Sequence, residues 1–228
     1  KPCQYKVYYG GRDSGKSTMF AKALLRLSFD EKCNILCCRE YFKSIGRSVY
    51  SLFMDIINSV DEYKHFFKSK ENKMLGVHIE NTLTGSIIFF DGLRDINVDN
   101  IKSVHGIKYL WIEEGHYISA ESWDIAIPSI RGSGWGNDKK SGCEIWVTMN
   151  PKYETDFLYN EFIAKGKSKY GDDLILKKLS WRHNYEHLSE ESYKNIIKCR
   201  NDDYEKYMHM YEGECLRKSN VHVFSRDF

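Results

Sequence analysis

Proline is scarce in this chain, 3 among 228 residues, and no low-complexity linker or internal repeat interrupts it. A strong net charge is also missing. The formal balance is +2, so the sequence does not read as a generally basic nucleic-acid binder, and any DNA contact has to be local. No uninterrupted apolar run approaches the roughly 18 residues of a membrane-spanning helix. The start at Lys1 lacks a signal-like apolar segment and reads as a trimmed fragment. Seven cysteines, an odd number, include no C-x-x-C pair. With Cys37-Cys38 inside an apolar run, they read as buried reduced thiols of a cytoplasmic protein. His183 and His187 are spaced as a helical zinc pair, but Asn184 replaces the glutamate of H-E-x-x-H, so no metal is expected there. What remains is a soluble globular composition, 42% apolar and 29% charged, long enough for one sizeable core and a small appendage.

The most informative stretch is Gly10-Gly11-Arg12-Asp13-Ser14-Gly15-Lys16-Ser17, which fits the phosphate-loop pattern G-x-x-x-x-G-K-[ST]. Its flanks agree with it. Tyr5 to Tyr9 is β-branched and aromatic, a strand, and Thr18 to Leu27 is a run of helix formers. Gly10 and Gly15 permit backbone angles that let successive N–H groups curl around an anion. The helix start adds free donors and a positive dipole end. Lys16 should reach the β- and γ-phosphates of ATP or GTP, and the Ser17 hydroxyl should ligate Mg²⁺. The nucleotide-binding set is Gly10, Gly11, Arg12, Asp13, Ser14, Gly15, Lys16, Ser17 and Thr18.

Two further strand ends complete a hydrolytic site. Tyr109 to Ile112 is an apolar strand closing on Glu113-Glu114. Glu113 is assigned to the metal, through its water shell, and Glu114 to the base that polarises the attacking water. Thr148-Met149-Asn150-Pro151 closes another apolar strand, and Thr148 and Asn150 are read as sensors of the γ-phosphate or of that water. A DxxG element or the lid of a nucleotide kinase is not evident. Strand and helix signals alternate, predicting an α/β fold with a mainly parallel central sheet. The pattern predicts a helix over 42–60, a hairpin or two adjacent strands flanking Thr84-Gly85, a helix capped by Ser119 and ended by Pro128, and a last strand over 172–179. Two tail helices are predicted, over 189–198 and over 202–211, the second opened by an Asp202…Glu205 capping pair.

With these elements stand Cys38-Arg39-Glu40, Ser44-Ile45 with Ser48-Val49, Phe90-x-Gly92-Leu93, Ile101-Lys102-Ser103, Glu121-Ser122-Trp123 and Ile127-Pro128-Ser129-Ile130-Arg131. Taken in order over residues 5 to 151, and weakly on to Gly213-Glu214, the set resembles the ATPase domain of tailed-phage terminase large subunits. The resemblance implies a three-layer P-loop NTPase of the ASCE type over 1–180. It implies a linker or lid segment over 181–228, leading to a nuclease domain absent from this chain, so nuclease activity is expected only of the full-length protein. It also implies Mg-dependent ATP hydrolysis that drives double-stranded viral DNA into a procapsid, with a portal protein and a small terminase subunit as partners. The subunits would form a homo-oligomeric ring, with no membrane, in the cytoplasm of an infected bacterial host and docked on the procapsid. By the same resemblance Arg12 grips or senses the γ-phosphate and Arg39 lies near the nucleotide or a neighbouring loop. A basic residue acting in trans is expected among Arg94, Lys102 and Arg131. Asp13 departs from the Gly, Ala or Ser usual in the family. A carboxylate there weakens the cradle unless it points away or pairs with Arg12 or Mg²⁺. Basic clusters at Lys165, Lys167, Lys169 and Lys177-Lys178 are either DNA contacts or a solvated face. Two alternatives stand beside this reading: another ASCE motor such as a helicase, and a low-turnover nucleotide-binding switch.

Overall fold

The structure is a computed structural model and describes residues 3–73, 75–94, 106–131 and 142–216. Its centre is an 8-stranded sheet ordered β3-β4-β5-β2-β6-β7-β1-β8. The strands are β1 (Tyr5–Gly10), β2 (Asn34–Arg39), β3 (Phe67–Asn72), β4 (Gly76–Asn81), β5 (Ser86–Gly92), β6 (Ile107–Ile112), β7 (Glu144–Met149) and β8 (Leu174–Leu179). From β5 to β8 every neighbour is parallel. The expected hairpin is β4–β5, which with β3 forms the antiparallel edge.

Successive side chains of the central strands serve opposite faces. Leu36, Cys38, Leu110, Ile112, Ile145 and Val147 point into one core with Ile118, Trp123, Ala126, Leu158 and Phe162. Ile35, Cys37, Tyr109, Trp111 and Trp146 point into the other, under α1 (Lys16–Asp30) and α2 (Phe42–Ser59). A sheet buried on both sides needs apolar residues at every position, which is why these strands read as continuous runs. The architecture is α/β and three-layered. Among the described residues no helix is long and apolar enough to cross a membrane, and all seven cysteines are free.

The short α3 (Asp61–Phe66) leads into β3, and α4 (Ala120–Arg131) follows β6. Ser119 caps α4 as expected, accepting the Ser122 N–H at 3.1 Å. The cap is tied down by buried Glu40, which accepts from the Ser119 and Ser122 hydroxyls at 3.0 and 2.9 Å. Pro128 does not end this helix, which runs on to Arg131 with the proline inside it. Proline removes one backbone hydrogen bond, while buried Trp123, Ala126 and Ile127 hold the preceding turns against the core.

Beyond β7 come a π-helical turn (Tyr159–Ala164) and α5 (Gly166–Tyr170). The last strand begins at Leu174 rather than Asp172, because Gly171–Asp173 forms a 3₁₀ turn. The tail helices are α6 (Glu190–Asp202) and α7 (Tyr204–Met210). Asp203, not Asp202, caps the second, accepting the Lys206 N–H at 2.9 Å. Asp202 instead completes α6. Trp181, Ile196, Tyr207 and Tyr211 make a small core of their own. His183, one of the spaced histidines, is engaged locally, its Nδ1 accepting the Ser180 N–H at 3.1 Å.

This tail packs onto the phosphate loop largely through bare backbone. Arg12 N–H donates to the Met210 carbonyl at 2.6 Å. Gly213 sits at φ +73°, and a Cβ there would lie 2.3 Å from the Gly10 Cα. Gly213→Ala is therefore expected to destabilise the protein by more than the ~1–2 kcal/mol of a left-handed non-glycine residue, and to release the tail to proteolysis. Gly76, at φ +61° in open space, is the control: equal melting-temperature losses in Gly213→Ala and Gly76→Ala would show that the contact contributes nothing.

Candidate functional site

The cleft at the carboxyl edge of the sheet has a volume of about 660 Å³. Three strand ends and one helix start build it, as expected where a parallel sheet is served by loops at one edge. β1 runs into the phosphate loop, and Lys16 opens α1 with Gly15 in the left-handed cap position, φ +74°. Ser14, buried, donates its hydroxyl to the Gly11 carbonyl at 2.7 Å. The Lys16 ammonium lies beneath the loop, donating to the carbonyls of Gly10 and Gly11 at 3.0 and 2.5 Å and to Ser14 Oγ at 2.8 Å. Burial pulls its pKa down from 10.5 to about 8, against the opposing pull of Glu113 and Asp13.

β6 delivers the two acids. Glu113 divides its oxygens: Oε1 accepts from Ser17 Oγ at 3.1 Å, and Oε2 accepts from Arg39 Nε at 2.6 Å. Arg39 also pairs with Glu114 at 3.2 Å. Burial raises the Glu113 carboxyl's pKa, aided by the Glu114 charge, while Arg39 pulls it back. Glu114 holds a left-handed backbone at φ +55°, a conformation that costs energy in a non-glycine residue and gathers at functional sites.

β7 lies between β1 and β6, which brings Thr148 and Asn150 between the loop and the acids. Thr148 is 2% exposed and its hydroxyl accepts the Trp111 indole N–H at 3.0 Å. Asn150 lines the cleft with a buried Oδ1 that has no hydrogen-bond partner. A buried orphan acceptor beside a phosphate loop is a marker for a ligand or ordered solvent.

The loop residues Arg12 to Thr18, the acids Glu113 and Glu114, and Thr148 and Asn150 are thus brought to one cleft. Arg39 is not among the lining residues; it stands behind the acids as their counter-ion. Arg94 is exposed and donates to the Tyr41 hydroxyl at 3.1 Å. Lys102 lies outside the described residues, and Arg131 closes α4. Asp13 is exposed at φ +57°, a backbone region that Asp and Asn enter more readily than most residues. Its carbonyl accepts from Asn184 Nδ2 at 3.0 Å.

Sequence reading missed His116, Tyr117, Lys152, Asn184 and His209, which also line the cleft. Lys152, two residues past Asn150, had a positional signal. Asn184 and His209 come from the distant tail and had none. Burial lowers the His116 pKa to about 4, so its imidazole is neutral at pH 7. The donor set fits a magnesium nucleotide: a cation and glycine-loop amides for phosphates, and a hydroxyl touching a carboxylate for the metal.

Removing Arg39 would leave two adjacent carboxylates without their cation. Arg39→Ala is expected to cost about 3 kcal/mol at pH 7. The loss should shrink as pH falls and the Glu113 carboxyl, its raised pKa no longer held back by Arg39, takes up a proton. Denaturant melts at pH 7 and pH 5 check this; a loss that does not change with pH would refute the assignment.

Comparison with known proteins agrees with this geometry. The chain matches the family model described as phage terminase large subunit over residues 3–214. It is 27% identical over 165 residues to the PBSX phage terminase large subunit of Bacillus subtilis (strain 168), a match covering 72% of this chain and 35% of the relative. The fold is similar to that of the large terminase from a thermophilic bacteriophage, with TM-score 0.70, 12% identity and coverage of 93% of this chain and 48% of that one. The same thermophilic-phage protein has also been solved with ADP and with ATP-γ-S. The Thermus phage P74-26 large terminase ATPase domain is similar at TM-score 0.59 and 15% identity, covering 94% of this chain and 89% of the domain. The chain spans about half or less of the full-length relatives it matches. With the match covering residues 3–214, the chain belongs to the phage terminase large subunit family.

Proposed function

We propose that this chain is the ATP-hydrolysing motor part of a packaging terminase, which turns hydrolysis into movement of double-stranded DNA into a procapsid. The observation that carries the reading is the contact between Ser17 Oγ and Glu113 beside Glu114, on a phosphate loop of the right sequence. ADP and ATP-γ-S complexes of the thermophilic-phage terminase support ATP as the nucleotide. Ser17 and Glu113 would hold Mg²⁺, which when bound supplies positive charge to the phosphates.

This chain's own groups do the rest. The loop amides and Lys16 hold the phosphates and neutralise charge as it builds in the transition state. Arg12, exposed on the loop, meets the terminal phosphate. Glu114 orients the attacking water and accepts its proton. The free Oδ1 of Asn150 takes the water's second hydrogen and registers its consumption. Arg39 offsets the charge of Glu113 and Glu114 and fixes their orientation. Residues 1–180 form the motor core, and the tail from 181 acts as a linker that rides on the phosphate loop. Portal protein, small terminase subunit and neighbouring motor subunits, working in the host cytoplasm, complete the proposed assembly; a basic residue from a neighbour completes the site in trans.

Glu114→Gln is expected to lower the rate of ATP hydrolysis at least about 100-fold with ATP affinity retained. Unchanged turnover in a phosphate-release assay would remove Glu114 from the base role. Lys16 makes a second test. Its depressed pKa means that the free protein loses this charge as pH rises through about 8, whereas a bound polyphosphate favours the charged form. Nucleotide binding near pH 8.5 should therefore take up protons, read as a binding enthalpy that depends on the buffer. Lys16→Met should abolish the uptake, and a buffer-independent enthalpy in the unsubstituted protein would contradict it.

A further inference from the structure

Lys152 lies in the cleft and none of the roles above uses it. It follows Asn150-Pro151 beyond β7 and lines the site together with Glu114, His116 and Asn150. Its side chain is exposed and makes no ion pair among the described residues; its Nζ lies 5.3 Å from the centroid of the Tyr153 ring. The backbone beneath it is pinned on both sides. Its N–H donates to Asp156 Oδ2 at 3.1 Å, and its carbonyl accepts the Leu216 N–H at 2.8 Å. Its charge is felt at His116, two residues beyond Glu114, where it helps burial to lower the imidazole pKa. Geometry puts the residue in the same cleft as the acids, since Lys152, Glu113, Glu114 and Asn150 line it together.

The other cations near the site are differently engaged. Lys16 is tucked beneath the phosphate loop, and Arg39 is held by two carboxylates. Arg12 projects from the loop itself. The cleft is lined by the phosphate loop on one side and by the end of β7 on the other, and Lys152 is the cation that follows β7. A flexible four-carbon stem on a fixed backbone suits a point charge that must reach a phosphate and let it go.

We propose that Lys152 contacts the terminal phosphate of the bound nucleoside triphosphate in cis, so that a single subunit distinguishes triphosphate from diphosphate before any neighbour contributes. The proposal rests on the reading of this cleft as an ATP site. The experiment compares ADP and ATP-γ-S affinities by calorimetry, in the presence of Mg²⁺, for the unsubstituted protein, Lys152→Ala and Lys152→Arg. Lys152→Ala should bind ATP-γ-S about tenfold more weakly, as expected for loss of one charge-assisted contact, with ADP changed by less than about twofold. Lys152→Arg should recover most of the loss. The pinning hydrogen bonds are made by the backbone, so the melting temperature of each variant should match that of the parent. Equal weakening for both nucleotides, or none for either, overturns the role of Lys152 while leaving the ATP site standing. An unsubstituted protein that binds neither nucleotide overturns the ATP site and this inference together.

Discussion

Two carboxylates in succession at the end of a buried strand repel each other and lose solvation, and the site can exist only if something answers both charges. Arg39 does so from the adjacent strand. β2 and β6 are parallel with Cys38 opposite Ile112, and the Glu113 N–H donates to the Cys38 carbonyl at 2.8 Å. That register sets the guanidinium alongside Glu113 and Glu114, and the planar fork reaches both. Ser17 completes the arrangement by taking the remaining oxygen of Glu113, which fastens the acidic strand to the phosphate loop. The position of the loop and the orientation of the acids thus hang on one cluster. Its members come from β2, α1 and the end of β6, so a shift in any of these elements disturbs both properties.

Much of this was legible in the sequence because the signals are local. A glycine loop between a β-rich run and a helix-forming run needs no tertiary information, nor do apolar runs that end in Glu113-Glu114 or Asn150. What was not legible is order in space. Nothing in Glu144 to Met149 says that β7 lies between β1 and β6, yet that placement makes Asn150 a site residue. The same limit applies to Arg39. Its sequence position says only that it ends a strand, while the parallel register makes it a counter-ion for the acids rather than a lining residue of the cleft.

Local misreadings have local causes. Pro128 costs a hydrogen bond, but the buried face of α4 outweighs one lost bond, so the helix continues. Asp202 and Asp203 are both competent caps; Asp203 is chosen because α6 extends through Asp202, leaving only the next residue extended. Asp13 is accommodated on the same grounds. The left-handed turn needs a residue that tolerates positive φ, aspartate does, and Asn184 fixes its carbonyl from the tail while the side chain stays exposed.

Apart from Asn184, the tail's hold on the loop is made of backbone and glycine, which explains its invisibility in sequence. Gly10, Gly11 and Gly213 touch where no side chain fits: a Cβ on Gly11 would lie 1.9 Å from the Tyr211 carbonyl oxygen. Contacts this close have no slack, so a change in the loop's curl must be passed to Met210–Gly213 or break the seam. A second seam joins the same tail to the opposite side of the cleft, where Leu216 bonds the Lys152 carbonyl. The tail therefore touches the cleft on two sides, at the loop through Arg12 and Met210 and beyond the end of β7 through Leu216 and Lys152.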